Sequence, residues 1–215
     1  MKVSIFIPVH NRAENTKKLL DELVRQQKDY PETEILATEN GSTEDMSFLD
    51  DYDTVVVSKL DIAGVYHAQN YMLSIATGDY YCFIDNDDWI PPYYLKVIYE
   101  HIESGKDWYV WKWYSDDTPV TMEGLNIKEP LKLNWAMWGY CMHSKLFKDV
   151  HFDESKMTGD DVRVMFSIIT AETEGEFIDE FMYRFKWMGN DDSVSHIYNQ
   201  THAPCCPENV LAGDY

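Results

Sequence analysis

Positive charge is scarce in this chain. Its 215 residues include 18 lysines and arginines against 38 aspartates and glutamates, a formal net charge of −20. A surface that negative repels phosphate backbones and anionic lipid at long range. Nucleic acid is therefore a poor partner, whereas a divalent cation is a suitable one. Cysteine is also sparse. Cys82 lies in an apolar run, Cys141 in an aromatic one, and Cys205 and Cys206 are adjacent, so they form no disulfide framework. No stretch approaches a membrane span, and the apolar run of "MKVSIFIPVH" is too short for a signal peptide. The expectation is a soluble, cytoplasmic protein with reduced thiols and no integral membrane segment. Internal repeats and low-complexity linkers are missing too, which favours one domain over 1–215.

What the chain does have is apolar and aromatic residues in ordered runs: 45% of it is hydrophobic, with 15 Tyr and 7 Trp, enough for a substantial core. Through residue 100, strand and helix signals alternate. "VSIFIPV" (3–9) reads as a strand ended by His10-Asn11. "NRAENTKKLLDELVRQQ" places Leu19, Leu20, Leu23 and Val24 at helical spacing. "TEILATE" (33–39) is a second strand closed by an Asn40-Gly41 turn, with Ser42 or Thr43 as cap of a short helix. "TVVVSKL" (54–60) is a third. "AGVYHAQNYMLSIATG" repeats Val65, Ala68, Met72, Ile75 and Ala76 at helix period, with Gly78 as its stop. "YYCFID" is a fourth strand, and "PPYYLKVIYEHIES" a helix with proline in its first turn and Leu95, Ile98 and Ile102 inward.

Such alternation predicts an α/β fold with a mostly parallel sheet and helices on both faces. Ligands of these sheets bind outside the carboxyl ends of the strands. His10-Asn11, Glu39-Asn40 and the run Asp85-Asn86-Asp87-Asp88 thereby share one rim. The second half is less regular. A strand is expected over 107–117, a loop over 118–134, and an aromatic segment leading into a short helix over 135–150. A helix in "GDDVRVMFSIITAET" has Val162, Phe166 and Ile169 on one face. "EFIDEFMYRFKW" is a last strand, and the tail has no periodicity.

The acidic run has no lysine or arginine within 80–92 to neutralise it. Mg²⁺ or Mn²⁺ prefers oxygen ligands, and Mg²⁺ typically takes one or two carboxylates plus substrate phosphates. Aspartates after a strand also cap helices and form turns, and Asp88, nearest "WIPP", suits that role. A calcium loop does not fit, because Trp89 stands where an oxygen ligand is needed. A nucleotidyltransferase would carry a glycine-rich basic loop, and "PVHNRAENTKK" has no glycine.

The order "VSIFIPVHNRAE", "EILATENGSTED", "AGVYHAQNYMLSIATGDYYCFIDNDDWIPPYYL" and "FDESKMTGDDVRVMFSI" resembles family 2 glycosyltransferases of the GT-A fold. The resemblance runs over about residues 3 to 195, dense through 100. It implies a nucleotide-sugar-binding half over 1–100 and an acceptor-binding half over 101–215, acting on a UDP-sugar with inversion and transferring one sugar to a saccharide or other hydroxyl-bearing acceptor. Pro8, His10 and Asn11 would line the nucleotide pocket, with Asn40, Gln69 and Asn86 beside it. Glu39 would accept from the base. Asp85 would reach the ribose or the metal's waters, and Asp87 would bind Mn²⁺ or Mg²⁺. Asp160-Asp161 matches the family's late carboxylate pair, with Asp161 as general base. His196 would join the metal or diphosphate, and Trp138-Gly139 would face the acceptor.

Simpler roles stand beside these. Glu39 suits a turn acid, His10 a loop histidine, and Asp160 and Asp161 a favourable interaction with a helix dipole. The tryptophans at 108, 111, 113, 135 and 187 suit a core as well as a sugar platform. His202 with Cys205 and Cys206 lacks the ligand spacing of a zinc finger. Two departures are visible: His10 replaces the family's usual Tyr, and Gln69 its usual Arg. The neutral amide leaves a second reading, a nucleotide- or sugar-binding protein that kept the fold and lost catalysis.

Overall fold

The structure, a computed structural model, describes residues 1–121 and 134–186. Trp187, His196, His202, Cys205, Cys206 and most of the loop expected over 118–134 lie outside the described residues. One eight-stranded sheet runs through both halves of the chain. Its strands are β1 (Val3–Val9), β2 (Thr33–Asn40), β3 (Val55–Leu60), β4 (Tyr80–Phe83), β5 (Trp108–Ser115), β6 (Thr118–Val120), β7 (Tyr140–His143) and β8 (Gly175–Phe185). The order is β3-β2-β1-β4-β7-β5-β6, with β8 also paired to β5. The pairs β1–β2, β1–β4, β2–β3 and β5–β8 are parallel, while β7 runs antiparallel between β4 and β5.

The helices α1 (Ala13–Gln27), α2 (Val65–Ile75), α3 (Tyr94–Ile102) and α4 (Asp160–Ile168) divide between the two faces. Val3, Ile5, Ile7 and Val9 of β1 pack with Leu19, Leu20 and Leu23 of α1 and Leu95, Ile98 and Ile102 of α3. Phe6 points the other way, into a core with Tyr66, Ala68 and Met72 of α2 and Val164, Met165 and Ile168 of α4. The period of two along each strand sends alternate residues to opposite faces and requires both to be covered. Pro8 costs no ladder bond. The Phe6 carbonyl accepts from Ile84 N–H, so Pro8, two residues on, also points to the β4 side, where that ladder has ended.

Several expectations shift. Met46, not Ser42 or Thr43, precedes the short 3₁₀ turn over Ser47–Asp51. Gly78 does not stop α2, which ends at Ile75; it lets the chain lie against β1, where a Cβ would meet Ser4 N at 2.7 Å. The prolines at 91 and 92 precede α3 and are not in its first turn. Gln26 of α1 sets that start, donating to Pro91 O at 2.9 Å and accepting Leu95 N–H at 2.8 Å. The aromatic segment contains strand β7, and the short helix expected after it is a 3₁₀ turn over Ser144–Phe147. On α4, Val164 and Met165 are buried where Phe166 was expected. Trp108 and Trp111 belong to the core. Among the described residues, no helix is long and apolar enough to cross a membrane.

Candidate functional site

The rim is built from three loops that follow β1, β2 and β4. Asn11 joins them. Its N–H donates to Ser42 Oγ at 2.8 Å, and its Oδ1 accepts from Thr43 N–H at 2.8 Å and Glu44 N–H at 3.1 Å. Its carbonyl accepts from the Asn86 amide at 2.9 Å, and the same amide reaches Thr16 Oγ1 at 2.8 Å. Asn11 and Arg12 both adopt left-handed backbone, φ 54° and 61°, the reversal that turns β1 into α1. His10 is exposed, with Nδ1 2.9 Å from Asn40 O. Glu39 Oε1 accepts Ser42 N–H at 2.6 Å, so one of its oxygens serves as the turn acid. The convergence expected from topology is present, with Asn11 and Asn86 as its internal ties.

The acidic loop is crowded. Asp85 and Asp87 are half-buried, Asp88 almost fully buried. Burial, then the charges of Asp87 and Asp161, push the Asp85 carboxyl up to about 7. Asp88 is raised well above its usual range by burial and by Asp85 and Asp87, and its Oδ1 accepts Lys186 N–H at 2.8 Å. Asp88 is thus tied to the end of β8 and does not cap α3, which has no side-chain cap. Asp161, at the start of α4, is one of the charges that act on Asp85.

At that start the two aspartates part company. Asp160 is 1% exposed, with Oδ1 2.6 Å from Arg163 Nε and Oδ2 accepting from Arg163 Nη2 and Asp153 N–H, each at 2.8 Å. Both its oxygens are engaged in holding the loop before α4. Asp161 is half-buried and receives a hydrogen bond from Tyr66 Oη at 3.1 Å. Burial raises its carboxyl, and the Tyr66 hydroxyl with the Val162 N–H works against that rise.

Polar atoms without partners also mark the α2 side of the rim. Leu36 packs toward α2, so Thr38 and Asn40, two and four residues on, share that face. Thr38 Oγ1, Asn40 Oδ1 and Gln69 Oε1 are buried and carry no hydrogen bond. Such atoms are uncommon in folded proteins, and a bound water or ligand group is their ordinary partner. Trp138 is half-buried, stacked on Tyr183 at 4.6 Å and on Phe185 at 5.7 Å, with Trp113 against its edge. Gly139 is buried, and a Cβ there would collide with the Asn134 amide, so packing accounts for it. Sequence reasoning missed Tyr66 and Thr38. For Thr38 a signal existed, a polar residue inside the buried run "ILATE".

The oxygen donors of Asp85 and Asp87 fit a hard divalent cation, and their mutual repulsion is what a cation relieves. Among the described residues no three acidic, histidine or cysteine side chains converge as a cage. A site completed by substrate phosphates requires no such cage.

The model of Glycosyl transferase family 2 matches residues 4–159, most of the chain. The chain belongs to glycosyltransferase family 2. Its relatives include glycosyltransferase GlyA of Streptococcus pneumoniae, 24% identical over 216 aligned positions that cover 86% of this chain and 30% of GlyA. The chain thus spans less than a third of that relative's length. TarS of S. aureus, solved with UDP-GlcNAc, superimposes with a TM-score of 0.74 at 20% identity, over 87% of this chain and 59% of that one. The mannosyltransferase PcManGT of Pyrobaculum calidifontis, solved with GDP-Man and Mn²⁺, gives 0.61 at 14% identity, over 85% and 56%. The fold of this family 2 member is the GT-A arrangement expected from its sequence.

Proposed function

We propose that the chain is a single GT-A catalytic domain that moves one sugar from a nucleotide-sugar, a UDP-sugar, to an acceptor hydroxyl with inversion. What carries this is electrostatic: after burial and Asp87, the charge of Asp161 raises the Asp85 carboxyl, although the two belong to opposite halves of the sequence. The shared sheet supports one domain, and family membership supports the reaction class.

In this reading Asp161 takes the proton of the acceptor hydroxyl as that oxygen attacks the anomeric carbon. The bond from that carbon to the diphosphate breaks, its electron pair leaving with the phosphate oxygen. Attack from the opposite face inverts the centre and needs no enzyme nucleophile. Asp87 and Asp85 would hold Mn²⁺ or Mg²⁺, which when bound stabilises negative charge on the diphosphate. Asp160 acts through its bonds to Arg163 and Asp153 N–H, keeping the α4 start in place. Glu39, half-buried and acceptor-only, is suited to a base N–H such as that of uracil, and the TarS complex with UDP-GlcNAc favours the uridine donor. Pro8, His10, Asn11, Asn40, Gln69 and Asn86 frame the nucleotide, and Trp138 offers a ring to the acceptor. The cytoplasm suits a chain in which Cys82 and Cys141 are buried thiols.

The test is release of free UDP from a panel of UDP-sugars in Mn²⁺, with and without EDTA, by the chain and by Asp161→Asn. Loss of transfer in the variant with UDP binding retained is expected. Unchanged turnover removes Asp161 from the chemistry.

A further inference from the structure

The first N–H groups of a helix have no partner inside it, and a short polar side chain at the preceding residue normally accepts from them. Helix α4 has no such cap. The residue before it is Gly159, at φ 86°, with no side chain to offer. The acceptor comes from another helix. Tyr66 Oη of α2 accepts from Asp160 N–H at 2.8 Å and Asp161 N–H at 3.4 Å, and donates to Asp161 Oδ1 at 3.1 Å. A phenolic hydroxyl has one proton to give and two lone pairs, and here all three are used. Burial and the Asp161 charge keep that phenol protonated.

The hydroxyl is held as firmly as the groups it holds. The Tyr66 ring is 2% exposed and lies parallel to Phe152, centroids 5.6 Å apart at 4°. Phe152 is in turn clamped to α2 by Asn70, which accepts from its N–H and donates to its carbonyl, both at 2.9 Å. Gln69, with its unpartnered Oε1, lies one turn along α2 from Tyr66. One rigid helix therefore carries a donor-side candidate and the group that fixes the Asp161 carboxylate.

We propose that Tyr66 is a positioning residue: its hydroxyl caps α4 and fixes the plane of the Asp161 carboxylate, directing proton uptake from the acceptor to the other oxygen, Oδ2. This rests on the reading of Asp161 as base. A carboxylate left to rotate spends less time aligned with the attacking hydroxyl, so the loss falls on turnover and not on donor binding.

Tyr66→Phe keeps the stacked ring and deletes the hydroxyl. It is expected to lower kcat about 10- to 100-fold with donor KM within about twofold, the scale of a misplaced catalytic group. Phe152→Leu serves as comparison, since it loosens the same packing and leaves the hydroxyl. It is expected to lower the melting temperature with kcat largely retained. Unchanged kcat in Tyr66→Phe, with Asp161→Asn inactive, overturns the positioning role and leaves the base intact. Parallel losses of kcat and melting temperature in both Tyr66→Phe and Phe152→Leu overturn it in favour of a packing role. Full turnover by Asp161→Asn overturns the base reading and this proposal with it. Should Tyr66→Phe not fold, difluorotyrosine at position 66 replaces it: altered kcat at unaltered donor KM supports the proposal, and unaltered kcat overturns it.

Discussion

The phenolic oxygen of Tyr183 lies 3.0 Å from the backbone nitrogen of Asp85 and accepts its hydrogen bond, while the ring of the same tyrosine stacks on Trp138. One residue of β8 thus touches the acidic loop with its tip and the candidate acceptor ring with its face. Movement of Trp138 on binding an acceptor would be felt at Asp85 through a single side chain.

Tyr183→Phe leaves the Asp85 N–H without its partner at a part-buried site. Such a group costs about 1–3 kcal/mol. A lower melting temperature is expected, together with a higher half-saturating Mn²⁺ in UDP-sugar turnover. An unchanged metal requirement would show that Asp85 holds its position without Tyr183.

Removal of metal provides a second check. EDTA should abolish UDP release, and Mn²⁺ with UDP should raise the melting temperature, because a ligand of the native state stabilises it. The Asp85 carboxyl, pushed up to about 7, is protonated below that pH and then competes with the cation. Half-saturating Mn²⁺ should therefore rise by up to about tenfold per pH unit below 7 and level off above it. A flat profile would exclude Asp85 from the metal site.

Gln69 can be probed by substitution. Its Oε1 is buried and unpartnered, so Gln69→Leu removes an unsatisfied group and should leave the melting temperature unchanged or slightly higher. Where that oxygen meets the donor, KM for the UDP-sugar rises in the same variant. An unaltered KM separates Gln69 from donor recognition.

Far from the rim, Glu34 predicts an acid limit to stability. Burial raises its carboxyl, but hydrogen bonds from Ser4, the Thr77 N–H and hydroxyl, and Lys2 outweigh that and hold it at about 2. A folded value below the unfolded one adds stability above about pH 4.5, lost as pH falls from there toward 2. Glu34→Gln should cost about 2–3 kcal/mol at pH 7 and flatten the acid side of the stability curve. Urea unfolding from pH 3 to 7 measures both.

The first four strands and first two helices were legible because each βα unit carries its own signal: a short apolar run for the strand, then apolar residues at helical spacing. Strand β7 was not. "YCMH" is four residues without alternation, and what makes it a strand is its position between β4 and β5. The rim was legible through topology, since parallel strands bring their ends together wherever they lie in the chain. The division of labour between Asp160 and Asp161 was not, although Arg163 three residues after Asp160 was a usable sign of pairing. Tyr66 was hidden for a different reason. Its ring fits an apolar stripe, and the partners of its hydroxyl lie 94 and 95 residues away.

The ties made by Asn11 have a consequence for the speed of binding. Freezing loop backbone costs on the order of 1–2 kcal/mol per residue, and here the loops after β1, β2 and β4 are already fixed to one another before a ligand arrives. A nucleotide bound as proposed would meet a finished surface, its affinity not taxed by ordering these loops. Association at this rim should then follow encounter directly, with a rate linear in nucleotide concentration and no slow phase from loop rearrangement.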